Sequence, residues 1–198
     1  MGTIILAGGL STRMGRDKSL LRINGVPVLE SLISGFAEAL PPVVVVLRPG
    51  QTPIPEDALH TFDVFPGAGP MAGLHAGLIA APDDCNLVVA CDMPFAVPSL
   101  GRYLLSLLDD HDAVVPVVDG RPEPLYAAYR KTCLPEVERS LKAGELRMKD
   151  LLGRLNTLYV GDEELRKYDP DLRSFLNINT PEDCDRALEL AREATTSP

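Results

Sequence analysis

The stretch that decides the fold is Val43–Leu47, VVVVL. Four β-branched residues and a leucine leave no polar side to turn toward water. Such a run suits a strand buried on both faces, as in a parallel sheet covered by helices. Working outward, Thr3–Ala7 and Leu87–Cys91 have the same texture and read as buried strands. Between them the spacing turns helical. Leu29, Leu32, Ile33, Phe36 and Leu40 share one face of a helix over Val28–Leu40. Helices are also predicted over Pro70–Ala81, with proline in its first turn, and over Pro98–Leu108. A short strand is expected at Phe62–Phe65.

The second half continues the alternation. Ala113–Val118 reads as a strand, with Leu125–Tyr129 pairing near it across the loop Asp119–Pro124. Helices follow over Pro135–Leu141 and Met148–Leu152, and strands over Thr157–Val160 and Phe175–Ile178. The last helix opens at Thr180-Pro181-Glu182-Asp183, an N-cap, a proline and two acids. Its apolar stripe is Cys184, Ala187, Leu188 and Ala191. Alternating strands and helices predict a mostly parallel sheet with helices on both faces. One domain is expected over residues 1–194, with a frayed tail at 195–198. Sheets of this kind take ligands outside the carboxyl ends of their strands. The loops after Ala7, Phe65, Cys91 and Ile178 are therefore the places to look.

Composition narrows the function. The chain has 198 residues and a net charge of -9, which argues against a general nucleic-acid binder. Yet Arg13, Arg16, Lys18 and Arg22 crowd into ten residues, opposed there only by Asp17. A local basic loop on an acidic protein suits a small anionic ligand. No apolar run approaches the roughly 20 residues of a membrane helix, and no secretory signal is visible. Cys85, Cys91, Cys133 and Cys184 match no zinc spacing, so reduced, mostly buried thiols in a cytoplasmic protein are expected. His60, His75 and His111 are isolated and build no hydrolase motif.

Four segments carry chemistry. Leu6–Lys18, LAGGLSTRMGRDK, is a phosphate-loop candidate. Its glycines allow close backbone approach, successive N–H groups make an anion-binding concavity, and Arg13 and Lys18 add charge. It is neither a Walker A loop nor G-x-G-x-x-G. Gly67-Ala68-Gly69-Pro70-Met71-Ala72 does match G-x-G-x-x-A, with Asp92 twenty residues further on. It is a decoy, because Pro70 removes an N–H that a pyrophosphate would use and the fingerprint normally follows the first strand. Cys91-Asp92-Met93-Pro94 ends the third buried strand and aims a carboxylate at the ligand crevice. One carboxylate with waters and substrate phosphates is the usual way to hold Mg²⁺. In Asn177-Ile178-Asn179, strand alternation would turn both amides the same way.

In this order, LAGGLSTRMGRDKSLL, Asp63 before GAGPMAG, then CDMP, EPLYAAY, AGELRMKDLL and FLNINTPED resemble the molybdenum cofactor guanylyltransferases. The resemblance spans Leu6–Asp183. It implies a Rossmann-like three-layer α/β/α sandwich of the nucleotide-diphospho-sugar transferase type. It also implies a reaction in which GTP and Mg²⁺ condense with molybdopterin, or its molybdenum-loaded form, releasing pyrophosphate. The product is a guanine dinucleotide cofactor for oxidoreductases. By the same resemblance Leu6, Ala7, Gly8, Gly9, Lys18, Asp63 and Asp92 bind the nucleotide, and Asp92 holds the metal. Arg13, Lys18 and Asp92 serve catalysis, with Arg13 lying toward the reacting phosphates. Arg147, Asn177 and Asn179 face the pterin. No nucleic acid or membrane is implied, and transient contacts with cofactor-delivering proteins are.

One departure stands out. The guanylyltransferase pattern often carries Asn at the end of the second strand, near the guanine, where this chain has Val46-Leu47-Arg48. The Gly8-Gly9 pair favours GTP over CTP, since the cytidylyltransferase relatives usually read Ala-Ala-Gly. A cytidylyltransferase, a sugar-phosphate nucleotidyltransferase and a non-catalytic nucleotide-binding adaptor remain the alternatives. The last has less need of Lys18 and Asp92 together.

Overall fold

The computed structural model describes residues 1–8, 22–50, 58–65 and 67–196. In chain order the elements are β1 (Gly2–Leu6), the hairpin β2 (Arg22–Ile23) and β3 (Val26–Pro27), α1 (Val28–Ala39), β4 (Val43–Leu47) and β5 (Leu59–Phe62). Then come α2 (Pro70–Ala80), β6 (Cys85–Ala90), α3 (Pro98–Ser106), β7 (Ala113–Val118), β8 (Arg121–Pro122) and β9 (Tyr126–Arg130). The chain continues with α4 (Leu134–Ala143), α5 (Met148–Leu152), β10 (Thr157–Gly161), α6 (Asp162–Leu165) and α7 (Pro181–Thr196).

The valine run sits where its composition demands, with every residue of β4 buried. It pairs in parallel with β1 on one side and β5 on the other. The main sheet runs in the order β10-β7-β9-β6-β1-β4-β5, with β8 attached to β7. β1 also pairs in parallel with β6, and β7 with β10. β9 lies antiparallel between β6 and β7, so those two point the same way. The sheet is thus mostly parallel, as expected, and the expected partner of β7 is β9.

Side-chain alternation splits the interior into two layers. Ile5, Val45 and Val89 face Leu29, Leu32 and Phe36 of α1, Leu100 and Leu104 of α3, and Leu165 of α6. Ile4, Val44, Val46 and Val88 face Met71, Leu74 and Leu78 of α2, Val137 and Leu141 of α4, and Leu151 and Leu152 of α5. That is the three-layer α/β/α sandwich. All four cysteines are free, and Cys91 and Cys133 are buried. Burial pushes the Cys133 thiol up to about 12, which keeps it protonated and inert. Among the described residues no helix is long and apolar enough to cross a membrane.

Two expected strands are corrected. The strand near Phe62–Phe65 lies earlier, at Leu59–Phe62, in register with Val44–Leu47. As the last strand of the sheet it is largely exposed, and it carries His60 and Thr61 without an apolar run. Phe175–Ile178 is not a strand. Residues 173–175 form a 3₁₀ turn, because the buried Asp169 carboxylate accepts the N–H groups of Arg173 at 3.1 Å and Ser174 at 2.7 Å. Within the expected strand, the Phe175 N–H then donates to Leu172 O at 3.2 Å and the Leu176 N–H to Arg173 O at 3.1 Å, so local carbonyls have taken amides that a sheet ladder would have used.

Helix α2 lies close on β1 and β4 because of Gly77. A methyl group there would run into Ile4 and stand 3.2 Å from Val46 Cγ2. Gly77→Ala overpacks an interior with no slack and should destabilise the protein by about 1–3 kcal/mol, read as a lower urea midpoint at unchanged slope.

Candidate active site

The chain passes from β1 to β4 and β5 on one side, and then returns to place β6 on the other side of β1. The topological switch point therefore falls between β1 and β6, and the crevice opens at their carboxyl ends. Pairing continues just past both strands. Ala7 N–H donates to Val46 O at 2.9 Å, and Cys91 N–H to Leu6 O at 3.1 Å. These bonds fix where the backbone leaves the sheet, at Gly8 and at Asp92. Ala7 is buried, Gly8 is half-buried, and the half-buried Leu6 side chain packs beneath α2, 3.2 Å from where a Gly73 methyl would sit. Gly8 accepts the Arg48 stem against it, since an added methyl would lie 3.2 Å from Arg48 Cγ. Gly9, Arg13 and Lys18 lie outside the described residues.

Asp92 is half-buried at the end of β6, and its backbone carbonyl accepts the Ile178 N–H at 2.9 Å. That bond seats the segment 176–179 beside the crevice. Ile178 is buried, Asn177 is half-buried and Asn179 is exposed. The two amides flank a buried anchor, but the segment is not the strand whose alternation was expected to turn them the same way. Thr180 and Asp183 close it. Asp183 Oδ2 accepts the N–H groups of Asn179 at 2.9 Å and Thr180 at 2.8 Å, and Thr180 Oγ1 accepts the Asp183 N–H at 3.2 Å. This capping box fixes the entry to α7.

Asp63 follows β5, three strands from β6, or about 14 Å across the sheet. The chain then turns back. Phe65 and Ala68 pack against the interior layer that also takes Leu6. α2 begins at Pro70, as the decoy reading of this glycine loop expects.

Arg147 reaches the same edge by another route. β9 runs against its neighbours and delivers the chain to the amino edge, where Arg130 pairs with Cys85. α4 brings it back, and Arg147 stands exposed at the N-cap of α5. Met148 packs into the layer that also takes Leu6, Phe65 and Ala68.

A metal site built wholly from protein is not present among the described residues, where no group of three or more His, Cys, Asp or Glu could hold an ion. The donor set at this edge is single carboxylates on separate strands. It fits Mg²⁺, which takes one or two carboxylates and completes its shell with waters and substrate phosphates.

Two residues at this edge escaped selection from the sequence. Arg48 was noted only as a departure, yet its stem packs on Gly8. Glu123 lies in the turn between β8 and β9, where its N–H donates to Pro116 O at 2.8 Å. Burial pushes its carboxyl above the usual carboxylate range, while Arg121 pulls the other way. EPLYAAY contained the signal, but nothing local to it shows that the glutamate is covered.

A mostly parallel sheet, a switch point between β1 and β6, and carboxylates at the ends of β5 and β6 define a nucleotide-binding α/β domain of the nucleotidyltransferase type. Residues 3–158 match the MobA-like NTP transferase domain, and the chain belongs to that family. A relative from Pelotomaculum thermopropionicum named "Probable molybdenum cofactor guanylyltransferase" is 34% identical over 98% of this chain and 94% of its own. The molybdenum cofactor guanylyltransferase of Desulfosudis oleivorans is 33% identical over 93% of this chain and 92% of its own. The crystal structure of molybdopterin-guanine dinucleotide biosynthesis protein A from Archaeoglobus fulgidus superposes with a TM-score of 0.85 at 32% identity, covering 98% of this chain and 100% of that one.

Glu123 offers a pH test of the edge. Its carboxyl titrates higher in the folded protein than in the unfolded chain, so ionisation at neutral pH opposes folding. The stability tied to its protonated form is complete below the unfolded value and is lost as pH rises through the folded one. Glu123→Gln should raise the melting temperature at about pH 8 and bring no gain at about pH 4. Paired thermal melts check it.

Proposed function

We propose that the protein transfers a guanylyl group from GTP to molybdopterin, or its molybdenum-loaded form, and releases pyrophosphate. The observation that carries this reading is the likeness, over nearly the whole chain, to guanylyltransferases and to a guanine dinucleotide biosynthesis protein. The acceptor's terminal phosphate oxygen attacks the α-phosphorus of GTP and forms the new P–O bond. The bond from the α-phosphorus to the bridging oxygen breaks, and its electron pair leaves with pyrophosphate. A phosphate monoester is already largely ionised at neutral pH, with a second pKa near ~6, so no general base is required.

The protein's task is then positioning and charge stabilisation. In this reading the backbone of Leu6–Gly9 approaches the nucleotide, and Asp63 binds it from the 63–69 loop. Lys18 neutralises charge on the phosphates and Arg13 braces it with a planar fork. Arg147, Asn177 and Asn179 hold the acceptor. Asp92 is the protein ligand of Mg²⁺, which when bound stabilises phosphate charge as a Lewis acid.

Pyrophosphate release with molybdopterin as acceptor, compared across GTP, CTP, ATP and UTP in Mg²⁺, tests the function. Release with GTP alone supports it, and release with CTP alone overturns it. Asp92→Ala should abolish Mg²⁺-dependent turnover while far-UV circular dichroism and melting temperature stay near wild type. Full activity would remove Asp92 from the metal. Lys18→Ala should lose a charge-assisted contact and about ten- to a hundredfold in kcat/KM.

A further inference from the structure

The basic side chains around the turn between α4 and α5 are of two kinds. Arg139 and Arg154 are held by carboxylates. Glu145 Oε2 lies 3.1 Å from Arg139 Nη2 and 3.1 Å from Arg154 Nη1. Glu136 Oε1 lies 2.8 Å from Arg139 Nη2 and 2.5 Å from Arg154 Nε. Arg154 Nη2 also donates to Ser140 Oγ at 2.7 Å, and the Glu145 N–H donates to Ser140 O at 2.9 Å. Four charges from α4, the turn and the residue after Gly153 thus close on one another. Hydrogen bonding from Arg139 holds the Glu136 carboxyl below the usual range.

Arg147 is the other kind. It is two residues past Glu145 and three before Asp150, yet it pairs with neither and has no ion pair among the described residues. An exposed guanidinium beside a free glutamate would be neutralised by it. Here the glutamate is turned away, because two arginines compete for it.

Building on the acceptor-binding reading of Arg147, we propose that the Glu136–Arg139–Glu145–Arg154 network is a positioning device for Arg147. It fixes the 144–147 turn and keeps the Glu145 carboxylate off the Arg147 guanidinium, leaving that charge for the acceptor's phosphate. Glu145, Arg139 and Arg154 are positioning residues and touch no substrate.

The test releases Glu145 and then removes it. In Arg139→Gln/Arg154→Gln, steady-state kinetics with molybdopterin and GTP should show KM for molybdopterin rising about three- to fivefold while KM for GTP stays put. Adding Glu145→Gln to that variant should recover most of the loss, because the released carboxylate does the harm. Equal KM for molybdopterin with and without Glu145, or KM for GTP rising in step, would overturn the proposal in favour of a merely structural network. Should the double variant fail to fold, Arg154→Gln with and without Glu145→Gln decides. A rise of about two- to threefold in KM for molybdopterin that Glu145→Gln reverses supports the proposal, and no rise, or one that Glu145→Gln leaves in place, overturns it. Wild-type protein that releases no pyrophosphate from GTP would instead sink the guanylyltransferase reading, which separates the two failures.

Discussion

The structure depends on β1 being paired on both sides. Its four-residue register with β4 and five-residue register with β6 place one short strand at the centre of the sheet. Ile4 and Ile5 are fully buried there, one feeding each interior layer. The same pairing ends in the hydrogen bonds of Ala7 and Cys91 that set Gly8 and Asp92 on the rim of one crevice. Packing and site geometry are therefore one constraint. A change that shifted β1 by one residue would exchange its two faces and also separate the glycine from the carboxylate.

What the sequence showed, it showed through burial. Val43–Leu47, Ala113–Val118 and the helix at Pro70 were legible because interior elements have few alternatives, and their apolar patterns say so. β5 was misplaced because the last strand of a sheet is half solvated and its pattern dissolves into His60 and Thr61. Phe175–Ile178 misled for a different reason. Phe175 and Ile178 at its ends are buried and the two residues between are half-buried, but whether such a segment becomes a strand depends on which acceptor takes the amides. Asp169 is close in sequence, yet the burial that lets it seat the 3₁₀ turn, whose carbonyls take the amides of Phe175 and Leu176, is a property of the folded interior. The site divides in the same way. Asp92 could be found from its place at the end of an apolar run. Arg147 and Asp63 came from motif order alone, since no local pattern marks either. Glu123 could not be found, because the burial that raises its carboxyl is a property of the folded chain.

Charge explains how an acidic protein can serve anionic substrates. A net charge of -9 repels polyanions at long range, but screening confines that field to about 8–10 Å in physiological salt. What a bound phosphate meets is the local arrangement. Arg48 is packed on Gly8 at the end of β4, and Arg147 stands at the N-cap of α5 on the same edge. Other cations are held by carboxylates, as Lys167 is by Glu164 at 2.6 Å and Arg173 by Asp171 at 3.1 Å.

This occupancy gives the surplus acid a role. An exposed ion pair contributes little stability by itself, at most about 1 kcal/mol, so pairs such as Glu145 with Arg139 are poor explanations of why the protein folds. They are better explanations of which cations remain available. Each carboxylate that captures a structural arginine withdraws both charges from competition at the crevice, and specificity for an anion improves without any added contact to it. Beside that network the Arg147 guanidinium keeps its charge, and the carboxyl edge is where the ligand chemistry of this fold requires one.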